Sequence, residues 1–178
     1  DGVPTGPNQK MVVTWPLKPQ AQWEAGVPVT ADDFIFAQEV CMDPKQEIVD
    51  RDICERVESM VARGDDKKTL VVTWHEQFAF FNAYRVHDLL PAHLLRPRIK
   101  KPNGEMADLS KDSYGQNPLS NGPFRFKEWV PGQYITFVRN ERYQPLAKLD
   151  EVTIKFIPNN NALESNLVAG TIDGILST

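Results

Sequence analysis

Apolar and polar positions alternate along this chain mostly with a period of two, in short runs broken by turn residues; few stretches carry a helical period. Residues 11–17 (MVVTWPL) mix β-branched and aromatic residues in rough alternation and read as a strand. Pro16 has no N–H to donate, so this strand belongs at a sheet edge. Residues 22–29 carry Gly26 and Pro28 and read as a turn region. Thr30 is a good helix N-cap, Asp33 stands three residues on as in a capping box, and Asp32 puts negative charge where the helix dipole favours it. Phe34, Ala37 and Cys41 then fall at i, i+3 and i+7, which predicts one buried helical stripe, and Pro44 prevents the helix from running much further.

Residues 50–60 fit two periods: Ile53, Val57 and Met60 suit a helix, whereas Val57, Ser59 and Val61 suit a strand. The Gly64-Asp65-Asp66-Lys67 turn and the β-rich TLVVTW run at 69–74 favour a hairpin, so a strand is expected over 56–62. Residues 77–84 are aromatic-rich and read as a short helix. Residues 89–95 (LLPAHLL) form an apolar segment broken by Pro91, and a long polar loop is expected from there to about Ser120. The basic stretch 96–101 reads as a solvated connection rather than a phosphate site. From Pro123 the pattern is plainly β. Phe124, Phe126 and Trp129 mark one strand, Pro131 and Gly132 a turn, and residues 134–139 (YITFVR) the return strand of a hairpin. Val152, Ile154 and Phe156 alternate in a third strand ended by Pro158. Residues 162–169 read as a short helix with Gly170 as its C-cap, and 172–176 as one more short strand. The expected class is α+β, a mixed β-sheet with flanking helices, strands outnumbering helices.

Length and composition narrow the class further. The 178 residues suffice for one domain with a real core or two small ones tightly joined, and 41% hydrophobic with 25% charged residues is ordinary for a globular protein. A net charge of -4 and a pI near 5.4 argue against a nucleic-acid partner, which would show a basic stripe. No apolar run approaches the roughly 18 residues needed to span a bilayer, and residues 1–10 show no signal-peptide pattern. The two cysteines, Cys41 and Cys54, suit a disulfide in an oxidising compartment or, equally, two buried reduced thiols. No second Cys or His pair stands at ligand spacing, so no metal is expected.

Candidate catalytic chemistry is thin. His75-Glu76 resembles the start of a zincin motif, but Ala79 occupies the position of the second histidine. His87 and His93 flank Pro91 at no ligand spacing. No nucleophile elbow, phosphate loop or dinucleotide fingerprint occurs. Asp32-Asp33 and Asp65-Asp66 are explained by capping and by a turn. Trp15, Trp23, Trp74 and Trp129 lie in or beside strands and read as core; Phe78, Phe80, Phe81 and Tyr84 are crowded enough that some could line a cleft, with core as the default. The residues themselves describe a binding module with no catalytic residue, and a hydrolase using His75 or His93 is the distant alternative.

Five segments, in order, carry a resemblance. WEAGVPVTADDF at 23–34 resembles the signature of the family 5 extracellular solute-binding proteins, the oligopeptide and dipeptide binders of ABC importers; Ala25 stands where the family usually has Asp or Asn before the glycine. LLPAHLL at 89–95 resembles the family's Leu-Pro-x-His-Leu-Leu segment. NGPFRFKEW at 121–129, continued by Arg139, Asn140 and Tyr143, resembles its Gly-Pro-Tyr-x-Leu-x-Glu-Trp strand. LDEV at 149–152 and AGTIDG at 169–174 resemble its next strand and its Gly-Glu-Ile-Asp turn.

The resemblance implies a truncated part of the larger lobe of a two-lobed, type II periplasmic-binding-protein-like fold. Residues 1–178 would be a single partial lobe, with about 20–115 a peripheral subdomain and about 116–178 a sheet-forming part leading to the inter-lobe crossing. It implies a protein exported to the periplasm or outside the membrane, held there only through a permease or a lipid anchor. That setting favours the disulfide of Cys41 with Cys54. The implied function is capture of peptides by closure of two lobes and delivery to ABC permease subunits, without a cofactor; a nickel complex, sugar or opine is the alternative solute. The ligand-facing positions it implies are Phe36, Asn121, Gly122, Ile175 and Leu176, with a structural role open for each.

Overall fold

A computed structural model describes residues 10–81 and 89–176. Strand β1 (Met11–Pro16) pairs antiparallel with β3 (Thr69–Trp74), which also pairs antiparallel with β2 (Val57–Arg63), giving the order β1-β3-β2. β1 is an edge strand, as Pro16 demands. The central strand β3 is buried almost throughout, which is why its sequence is continuously apolar rather than alternating. Leu70, Val72 and Trp74 form one face with Met11 and Val57, and helix α1 (Ala31–Met42) lies over it with Ala31, Phe34 and Ile35.

The other side of α1 makes a second cluster. Phe36 and Val40 pack against Ala92, Leu95 and Ile99 of helix α3 (Ala92–Ile99) and against Met106. Being covered on two sides, α1 buries Ala31, Asp33, Phe36, Ala37 and Val40. The single stripe expected through Phe34, Ala37 and Cys41 is thereby corrected: Phe34 is only half-buried on the sheet side, and Cys41 is joined to Cys54 of helix α2 (Asp52–Glu55) by a disulfide. The strand reading of 56–62 holds.

Three expectations around α3 change. The basic stretch 96–101 is no loop: α3 continues through Pro97 to Ile99, and Arg96 and Lys100 both pair with Glu39 of α1. Arg96 also lies 5.1 Å over the Phe36 ring, so this basic charge braces a helix pair. Residues 77–81 form turns, not helix, because Phe78 and Phe81 fold back onto Trp74 and Trp15. Tyr84 and His87 lie outside the described residues. The loop after α3 holds two 3-10 turns, Leu109–Lys111 and Ser113–Gln116, capped by Asp108 and Asp112.

A second antiparallel sheet, order β4-β5-β6, contains β4 (Phe124–Val130), β5 (Tyr134–Arg139) and β6 (Glu151–Lys155). A bulge between Phe126 and Glu128 keeps Phe126 and Trp129 on one face with Ile135 and Phe137. Helix α4 (Asn160–Val168) follows, its N-terminus capped by Asn159. Gly170, at φ +67°, ends it close to the expected position. Trp129 is 46% exposed, not core, because no described element packs over that end of the sheet. Residues 172–176 form no strand; they run along the groove beside β6 without pairing to its free edge.

Candidate ligand-facing surface

The two sheets meet at the turn of the WEAGVPVTADDF segment. Trp23 N–H bonds to Val27 O at 2.8 Å, closing the turn through Gly26, whose φ of +84° suits glycine alone. Lys68 holds the turn from below, donating to Ala21 O and Val29 O at 3.0 and 2.7 Å. Asp33 is the keystone. It is 2% exposed, and its carboxylate accepts N–H bonds from Thr30 at 2.9 Å, Trp23 Nε1 at 3.3 Å and Ala92 at 2.8 Å. One buried side chain thus ties together the turn, the start of α1 and the start of α3, and so joins the segments 23–34 and 89–95.

The same turn reaches the second sheet. Glu24 N–H donates to Ser120 O at 2.8 Å, and Gln22 Nε2 donates to Arg142 O at 3.3 Å. Asn140, 2% exposed, donates from Nδ2 to Gly122 O at 2.8 Å and accepts from Arg142 N–H at 3.1 Å. Asn121 and Gly122 therefore sit half-buried at the junction of the two sheets, on the segment that leads into β4. Beside them Glu24 keeps one carboxyl oxygen, Oε2, buried without a hydrogen-bond partner. Burial raises the Glu24 pKa, while the Ser120 backbone and Arg125 pull the other way. Burial, helped by the Glu24 charge, pushes the nearby Tyr114 hydroxyl up to about 12.

Ile175 and Leu176 lie elsewhere. They line an open groove of about 1220 Å³ beside the free edge of β6, with Val152, Ile154, Phe156 and Leu163. Lys155 Nζ anchors this groove by donating to Thr171 O at 2.8 Å. Ile175 and Leu176 are 48% and 74% exposed. Phe36 is different again: it has no accessible surface, enclosed between α1 and α3 under Arg96. The five positions thus divide into a junction pair, a groove pair and a core residue.

Sequence reasoning gave Glu24 and Asn140 no role at the site, although both stand within the segments that carry the family resemblance. Among the described residues His75 and His93 are exposed, and no group of three metal-ligating side chains occurs. No described helix is long and apolar enough to cross a membrane.

The profile of the bacterial extracellular solute-binding proteins, family 5 (middle region), matches residues 8–178. The chain belongs to that family. The oligopeptide-binding protein AppA of Bacillus subtilis is 31% identical over 159 residues, 88% of this chain and 28% of its own length. The structure of Bacillus subtilis AppA with a nonapeptide superposes with a TM-score of 0.76 at 30% identity, over 90% of this chain and 31% of that one. NikZ of Campylobacter jejuni, solved with Ni(L-His), superposes at 0.73 with 28% identity, over 90% and 31%. The fold is therefore the type II solute-binding fold, of which this family 5 chain is a partial segment; it spans about a third of the length of these relatives. The family and these relatives are solute-binding proteins rather than enzymes.

Proposed function

We propose that this chain is part of the larger lobe of an exported solute-binding protein that captures peptides and delivers them to the permease of an ABC importer. The observation that carries the reading is the likeness, over 90% of the chain, to a structure that holds a nonapeptide. Two lobes would close over the solute, and the closed form would dock on the permease. A peptide held by backbone hydrogen bonds as an added strand needs an open strand edge, and β6 offers one beside the groove of Ile175 and Leu176. Asn121 and Gly122 are the second proposed ligand-facing pair. Phe36 would meet a ligand only if α3 and Arg96 moved off its ring; its packing supports a role in shaping the lobe. Residues 20–115 form the proposed peripheral subdomain, and 116–178 the part that leads toward the second lobe. The Cys41–Cys54 bond fits an oxidising, extracytoplasmic setting.

A metal-chelate solute is the second reading, because the NikZ structure is nearly as similar. The deciding experiment is a thermal-shift screen of the full-length protein against short peptides, sugars and nickel-histidine. A ligand at 100 times its dissociation constant should add about 2.7 kcal/mol of stability. A shift with peptides alone supports the first reading, and a shift with nickel-histidine alone replaces it by the second.

A further inference from the structure

The chain contains two Asn-Gly pairs, Asn103-Gly104 and Asn121-Gly122. Such pairs are open to one spontaneous reaction, because glycine lacks the Cβ that would block approach of its amide to the preceding side chain. The glycine N–H gives its proton to solvent and the nitrogen attacks the asparagine Cγ. The N–Cγ bond forms, the Cγ–Nδ2 bond breaks, and Nδ2 takes a proton and leaves as ammonia. Water then opens the succinimide at either carbonyl, giving aspartate or isoaspartate. One water enters, one ammonia leaves, and nothing is oxidised or reduced.

The fold treats the two pairs differently. Gly104 N–H donates to Lys101 O at 2.9 Å, and Asn103 Oδ1 accepts from Glu105 N–H at 3.1 Å. The attacking nitrogen therefore has its proton held, and the carboxamide is turned toward residue 105. Neither the Asn121 carboxamide nor the Gly122 N–H makes a hydrogen bond to any described residue. A Cβ built on either glycine would meet nothing within 4 Å, so both pairs have room and it is the hydrogen bonds that set them apart. Asn103 is the more exposed of the two asparagines, yet Asn121 and Gly122 are only half-buried and solvent reaches them as well. Each hydrogen bond that must first break slows the reaction about fivefold, so bonding outweighs the difference in exposure.

We propose that Asn121 is a site of spontaneous deamidation in the folded protein, and that Asn103 is protected from the same chemistry by its turn. The site matters because of its place. Isoaspartate adds a methylene to the backbone one residue before Gly122 O receives the Asn140 side chain, and a new carboxylate next to Ser120, whose carbonyl receives Glu24 N–H. Ageing at this one residue would loosen the join between the two sheets, whatever solute the protein binds.

The test is to incubate the full-length protein in mildly alkaline buffer, native and in urea, and map isoaspartate by peptide mass spectrometry with isoaspartyl-methyltransferase labelling. In the native protein the Asn121 peptide should convert at least about fivefold faster than the Asn103 peptide. In urea the two should convert alike. Gly122→Ala should suppress conversion at Asn121 without lowering the melting temperature. Equal native rates, faster conversion at Asn103, or conversion at Asn121 that the native fold strongly suppresses relative to urea would each overturn the proposal.

Discussion

Asp33 shows how much one residue can organise. Three N–H donors from three segments converge on its carboxylate in a site closed to water. Asp33→Ala would leave those donors buried and unpartnered, at a cost of about 3 kcal/mol in chemical unfolding. Asp33→Asn should cost nearly as much, because the amide NH₂ turns a donor against at least one of the N–H groups. A loss under about 1 kcal/mol for both variants would show that these bonds contribute little net stability. Glu24 provides the contrasting case. Its folded pKa is raised above the ordinary 4.5. The folded state therefore holds the proton more tightly, and the group's stabilising contribution is present below pH 4.5 and lost as pH rises through the folded value. Burial raises that pKa, the Ser120 backbone and Arg125 pull it down, and the Glu24 charge in turn acts on Tyr114. Asp52, Glu105 and Asp108 shift downward and act oppositely, so the measurement is the difference between wild type and Glu24→Gln. Wild type should lose stability relative to the variant between acid and neutral pH; parallel curves would refute the assignment.

Among the elements, the loop from α1 to α2 is braced twice. The Cys41–Cys54 bond closes a span of 13 residues. Arg51 reaches back to the carbonyls of Cys41, Asp43 and Gln46, standing in for the basic residue that the last turn of α1 lacks. In the chain-entropy picture the disulfide is worth about 3 kcal/mol because it constrains the unfolded chain, so reduction should lower the unfolding free energy by about that amount and bring the denaturant midpoint down, with a slope no shallower than before. Arg51→Ala should cost more in the reduced protein than in the oxidised one, since either brace alone keeps the loop near its native path. Equal costs in both forms would mean that the two act independently. The hairpin of β4 and β5 was readable beforehand from Pro131 and Gly132 between two aromatic-rich runs. The end of α3 was not, because Arg96, Pro97 and Arg98 look like a loop until Glu39 and the Phe36 ring are placed opposite them.

The molecule as a whole is unevenly finished. The first sheet has α1 and, behind it, α3 over one face, whereas the second leaves Trp129, Leu149 and Phe156 between 45% and 61% exposed. Ile175 and Leu176 extend that apolar surface along the groove. A polypeptide limited to these residues should bind an apolar fluorescent dye more strongly than the full-length protein does, and calorimetry should find no micromolar peptide affinity for it. Weak dye binding by the limited polypeptide, or tight peptide binding, would contradict the view that these surfaces are completed by the rest of the chain.

Local chemistry determines much of this protein. Alternation located β1, β4, β5 and β6, the Gly64–Lys67 turn with the β-rich run after it located β2 and β3, Thr30 with Asp33 marked the start of α1, Gly170 the end of α4, and ordered motifs named the family; each depends only on near neighbours or on residue order. Tertiary structure decided the rest, because it depends on what lies opposite. It turned Phe36 from a ligand-facing candidate position into a buried one, made a helix of a basic stretch by supplying Glu39, and left 172–176 unpaired along the free edge of β6. It also told two identical Asn-Gly pairs apart by the hydrogen bonds around them. A residue's neighbours along the chain fix its local conformation, but only its neighbours across space fix its burial and its partners.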